Sequence, residues 1–144
     1  MIENDTIRLL RECDAGIQMG VASLDQVLES VDSKKLKEIL QRNKVEHEKL
    51  KEQLQRLLDQ YHDDGKAPNP IAKGMSWFKT SVKLAADETD HTVADLVTDG
   101  CNMGVKSLRQ YLNQYQAADE QSKEITKKLI ELEEGLTVDL RQYL

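Results

Sequence analysis

His47 is the residue whose type and position most suggest chemistry. With Asn43 it interrupts an otherwise apolar heptad seam of Leu36, Leu40, Asn43, His47, Leu50, Leu54, Leu57 and Tyr61. A seam of that period faces another helix, so His47 is expected inside the protein. An inward imidazole can ligate a metal or small molecule through a ring nitrogen. It can equally serve as a polar seam residue that fixes helix register. Either role requires a partner, because an unpaired buried polar group costs about 1–3 kcal/mol. Glu46 stands next to it on the flank of the seam.

Other constellations are thinner. Glu88-Thr-Asp-His91, with Asp95 one turn on, places Glu88, His91 and Asp95 on one helix face and spells a surface zinc pattern. The same acids also suit a helix start, where carboxylates meet the positive end of the dipole. Tyr61-His62-Asp63-Asp64 reads as a frayed polar helix end. Cys13 and Cys101 form no CxxC pattern and are expected as small buried hydrophobes. No phosphate-binding glycine loop, nucleophile with a base, or catalytic triad is present, so no catalytic residue is assigned.

Four helical segments must position these residues. The first, 4–30, carries Leu10, Cys13, Ile17, Gly20, Val21, Leu24 and Val27 at spacings of three and four, giving one apolar face. Asp32-Ser33 then supplies a turn and an N-cap. The second segment is 34–62, ended by Asp63-Asp64-Gly65. The third, 87–116, opens with Asp87 as N-cap and turns Val93, Val97, Gly100, Gly104, Leu108, Tyr111 and Tyr115 inward. The fourth runs from 119 to the end, with Ile125, Leu129, Leu132, Leu136, Leu140 and Tyr143 inward. Between the pairs, 63–86 forms a crossover with the Pro-bearing loop GKAPNP. It continues into a short helix, 75–86, whose Trp77 and Phe78 are expected to close one end of the bundle. The tyrosines either form a dimer face or complete the monomer core.

The segments repeat. GIQMGVASLDQVL from Gly16 and GCNMGVKSLRQYL from Gly100 share eight of thirteen residues at an offset of 84. An offset of 86 brings Lys37-Glu38-Ile39 onto Lys123-Glu124-Ile125, and Leu50 and Leu54 onto Leu136 and Leu140. Two copies of one helical hairpin are therefore expected. That offset also carries His47 to Glu133 and nominates a His47–Glu133 contact across the core. Gly16, Gly20, Gly100 and Gly104 are helix-interior glycines, each costing about 1 kcal/mol against Ala. Close approach of the first and third helices, flanked by Met19 and Met103, is the expected reason.

The whole layout resembles the ferritin-like superfamily: two hairpins, a crossover with an aromatic helix, and short echoes such as Asp14-Ala-Gly16, Trp77 and the Gly100 segment. More narrowly it resembles small bacterial four-helix proteins of a domain family of unknown function. The resemblance implies an all-α, ferritin-like antiparallel four-helix bundle with a crossover connection. Metal-bearing members carry an inward Glu on the first and third helices and Glu-x-x-His on the second and fourth. Here Lys44 stands three residues before His47, Glu133 replaces the second histidine, and Ile130 precedes it by three. No inward Glu is evident on the other two helices. No metal ligand set is assigned; the residues able to contribute to one are His47, Glu46, Glu133 and Asp14.

At 144 residues with a net charge of -6, the chain reads as one helical domain, 1–144. The negative balance argues against nucleic acid and anionic membrane as partners. No apolar run reaches bilayer length, and MIENDTIRLL has neither the basic nor the apolar part of a signal peptide. A cytoplasmic location is expected. The leading functional expectation is a non-catalytic bundle without cofactor, acting by association with itself or another protein. The alternative is an iron- or manganese-binding protein with a reduced site around His47.

Overall fold

The computed structural model describes residues 2–66 and 89–144. Four α-helices follow in order: α1, Ile2–Leu28; α2, Lys34–Gln60; α3, Asp90–Gln114; α4, Glu120–Leu140. A single 3-10 turn, Arg141–Tyr143, follows α4, and no strand occurs among the described residues. The expected helix over 75–86, with Trp77 and Phe78, lies outside them, as do Asp87 and Glu88.

Short polar caps set the starts. The Ser33 side chain accepts from Leu36 N at 3.2 Å, and Asp119 accepts from Ser122 N at 2.8 Å. For α3 the cap is Thr89, accepting from Thr92 N at 3.1 Å, so the helix begins later than the acid-rich run suggests. Asp90 serves the neighbouring turn instead: its carboxylate accepts from Asp32 N at 2.9 Å and Ser33 N at 3.0 Å.

Cross-helix contacts fix the directions. Asp63, just past α2, pairs with Arg11 near the start of α1, while Asp90 at the start of α3 holds the turn after α1. Thus α1 and α2 are antiparallel, and so are α1 and α3. Tyr61 at the end of α2 donates to Asp119 at the start of α4, so those two are antiparallel as well. Around the bundle the order is α1, α2, α4, α3. Helix α2 finishes at one end of the bundle and α3 begins at the other, and after α2 the chain to residue 66 turns back along α1.

The core divides into two apolar clusters. Leu9, Leu10, Cys13, Ile17, Leu54, Leu58 and Leu129 fill the end where α1 begins. Leu24, Val27, Leu36, Leu40, Val93, Leu136 and Leu140 fill the opposite end. Each fully buried leucine contributes about 1.5–3 kcal/mol. At the end of α2 the seam passes through Leu58, which is fully buried, while Leu57 packs only at its edge. A straight helix of 3.6 residues per turn drifts off a strict seven-residue repeat by about 20° per heptad, which moves the seam by one residue. Tyr111 and Tyr115 stack at 6.3 Å and pack, partly buried, against the first cluster, and Tyr143 packs, partly buried, against the second.

Candidate functional site

Between the two apolar clusters, Asn43, His47 and Glu133 form a polar layer. The α2 seam turns Asn43 and His47 inward, and α4 turns Glu133 inward; all three are buried. His47 Nδ1 lies 3.0 Å from the carbonyl oxygen of Asn43, one turn back. A carbonyl can only accept, so Nδ1 carries the proton and Nε2 keeps its lone pair. The Asn43 amide nitrogen donates to the Leu132 carbonyl at 3.2 Å, tying α2 to α4. Among the described residues His47 Nε2, Asn43 Oδ1 and Glu133 Oε2 have no hydrogen-bond partner. The expected His47–Glu133 contact is therefore not a hydrogen bond.

Each of the two long polar side chains rests on a glycine. A Cβ on Gly20 would stand 2.9 Å from His47 Nε2, and one on Gly104 would stand 2.7 Å from Glu133 Oε2. The offsets that align the repeats carry Gly20 to Gly104 and His47 to Glu133. These two glycines make room for the polar side chain of the hairpin partner, not for close approach of α1 to α3. A Cβ on Gly16 would meet only Leu129, at 3.9 Å, one on Gly100 would meet nothing within 4 Å, and Met103 stands in solvent, so it flanks no α1–α3 contact. Gly100 is exposed where the sequence pattern placed it inward.

Burial dominates the electrostatics. Removing the carboxylate from water pushes Glu133 up to about 8, so it holds a proton at neutral pH. Desolvation lowers His47 below its ordinary value, partly opposed by the bond to Asn43. The Cys13 and Cys101 thiols are both pushed up to about 12, chiefly by burial, with the Glu133 charge adding to each. Both are free. Cys13 Sγ lies 3.1 Å from Thr126 Oγ1, which itself donates to Ser122 O at 2.8 Å. Neither thiol has the thiolate character that nucleophilic chemistry needs.

The remaining candidates separate from this layer. Glu46 sits on the outer surface, paired with Lys49 at 3.0 Å. Asp14 is buried midway along α1, where its Oδ2 accepts from Lys66 N and from Gln18 Nε2, each at 3.0 Å. It works as an anchor for the chain leaving α2. Gly65, at φ +84°, lies close against Asp14, a packing that only a residue without Cβ allows. Arg11 grips Asp63 with Nε at 3.1 Å from both carboxylate oxygens, and Lys66 Nζ bonds Glu12 at 2.6 Å. The end of α2 is thus held by tertiary contacts and is not frayed. His91 is exposed. Among the described residues no group of three or more His, Cys, Asp or Glu side chains is arranged to hold a metal.

A surface groove of about 760 Å³ runs between α1 and α2. Val21 and Ala22 contribute to its floor, and Asp25, Lys44 and Glu48 to its charged walls; neither His47 nor Glu133 lines it. No described helix is long and apolar enough to cross a membrane. No family model matches the chain, and no curated protein or solved structure matches it. The functional reading therefore rests on the layer and the surface themselves.

Proposed function

We propose that this chain is a ferritin-like bundle in which packing has replaced metal chemistry and which acts by associating with itself or another protein. The ferritin-like reading is supported by two short-turn hairpins whose connection starts at one end of the bundle and finishes at the other. The observation that carries the functional reading is the occupancy of the central layer. A two-metal centre needs several converging carboxylates. Here Gly20 and Gly104 stand on the inner side of α1 and α3, and the room they leave is taken by His47 and Glu133. Those residues do not fit a two-metal centre. With the thiols held protonated by burial, surface recognition is the reading we favour for the fold. Among the described residues Met103 is the most exposed of the large apolar side chains.

In-cell photo-crosslinking tests this reading. A benzophenone amino acid in place of Met103 is expected to give a discrete covalent adduct, whereas one at Val138 is not. Equal, diffuse labelling at both positions, or none at either, would sink it.

The partnerless His47 Nε2 and Glu133 Oε2 favour a second reading, a single iron or manganese ion held by this imidazole and carboxylate. Such an ion would neutralise Glu133 in place of its proton. Elemental analysis of protein purified without chelator separates the readings. Stoichiometric iron or manganese that disappears in His47→Ala would replace the first reading with the second, and metal-free protein would end the second.

A further inference from the structure

Met103 is 71% exposed on α3. At about 100° per residue it lies well away from Val97, Cys101 and Leu108, which face the core. One turn before it stands Gly100, where an added Cβ would meet nothing within 4 Å. A glycine inside a helix costs stability against alanine, and no contact among the described residues accounts for it. Asp99 and Lys106 stand four residues before and three residues after Met103 on the same outward side, both exposed. Neither has an ion-pair partner among the described residues.

We infer that the outward face of α3 around Met103 is a self-complementary surface that docks the same face of a second copy of this chain, antiparallel about a two-fold axis. The inference rests on the association reading and names its partner. An antiparallel two-fold pairing of α3 centred beside Met103 sets Asp99 of each copy opposite Lys106 of the other. One opposite-charge pair thus becomes two by symmetry, as an isologous contact requires. The same operation sets Met103 of each copy beside Met103 and Asn102 of the other. A flexible thioether adapts to such a contact. The charges select this occupant: a partner with a uniformly acidic or basic helix would satisfy one of Asp99 and Lys106 and oppose the other.

Light scattering coupled to size-exclusion chromatography reads the state directly. The unaltered chain is expected at the mass of two chains, falling to one on dilution. Met103→Glu and Asp99→Lys are each expected to give one chain at every concentration, with unchanged helical circular dichroism because both positions are exposed. Asp99→Lys combined with Lys106→Asp should restore the two-chain mass, since the reversed charges are again complementary. A one-chain mass for the unaltered protein at millimolar concentration overturns the self-pairing, as does a dimer indifferent to Met103→Glu. A crosslink from position 103 to a different protein, with a one-chain mass, ends the self-pairing and leaves the association reading standing. Absence of any crosslink there ends both.

Discussion

His47 Nε2 lies 2.9 Å from the point where a Cβ would stand on Gly20. That proximity makes the glycine a seat for the imidazole and turns a helix weakness into a packing requirement. Gly20→Ala gains about 1 kcal/mol of helix propensity. It also forces a ring held on its other side by the Asn43 carbonyl to move, and overpacking of that kind costs about 1–3 kcal/mol. The substitution is expected to destabilise in urea titrations. Gly135→Ala, at a helical position with nothing within 4 Å, is expected to stabilise by about 0.5–1 kcal/mol. In a His47→Ala background Gly20→Ala should lose its penalty, and a coupling near zero in that double-mutant cycle would remove the seat from the account.

The polar layer makes stability depend on pH from both sides. Glu133 is raised from 4.5 to about 8, so the folded state keeps a proton that the unfolded state releases. Stability from this group is full below pH 4.5, falls as pH rises through the interval, and is gone above about 8. His47 is lowered from 6.5, so the unfolded state takes up a proton first and stability falls as pH drops below that value. Glu133→Gln should flatten the alkaline side of a melting-temperature profile, and His47→Gln the acid side. A profile unchanged by Glu133→Gln between pH 5 and 9 would contradict the buried, protonated carboxyl.

At the end of α2 the chain is held by a carboxylate on α1. Asp14 accepts from the Lys66 amide, and Gly65 lies against it at a positive φ. Asp14→Ala would leave that amide without its acceptor, and losing one partner of a buried bond costs about 1–3 kcal/mol. Gly65→Ala should cost a similar amount, because its Cβ would collide with Asp14 and the backbone is left-handed there. Hydrogen exchange provides the local reading: Lys66 N should lose protection in both variants while amides in α3 keep theirs. Equal loss across the bundle would mean that Asp14 supports the whole fold and not this one segment.

Much of this was legible in the sequence because it is periodic or local. The α2 seam put Asn43 and His47 inside, the internal repeat did the same for Glu133, and Ser33 caps α2 as its sequence position implies. What the sequence could not supply was side-chain direction. Position places Gly20 and Gly104 on the inner face, but only the path of each long side chain decides whether a glycine admits a neighbouring backbone or a neighbouring imidazole. The glycines were for that reason assigned to the wrong contact. The Asp14 anchor was hidden for a related cause: its acceptor role is to an amide 52 residues away. An acid in a helix interior looks the same in sequence whether solvated or buried. The signal available was the Asp63-Asp64-Gly65 run, whose glycine implied a turn that something had to hold.

That turn also carries the cheapest stabilising change in the molecule. His62 has φ 54°, follows the C-cap Tyr61, and donates its amide to Asp59 O at 3.1 Å, while Asp63 N reaches Leu58 O at 3.0 Å. This is the Schellman closure, in which the left-handed position is usually glycine. A side chain there costs about 1–2 kcal/mol relative to the right-handed form. The three residues after it can be positioned only if His62 takes this conformation, because Asp63 must meet Arg11. His62→Gly removes the steric cost from the folded state but widens the unfolded ensemble by about 0.4–1 kcal/mol. The net expectation is a gain of a few tenths to about 1 kcal/mol, read as a raised melting temperature with the Arg11–Asp63 pair retained. His62→Val, β-branched and ill-suited to positive φ, should lower it. If both substitutions destabilised equally, the imidazole would have to be making a contact of its own, and the backbone account of this helix end would fail.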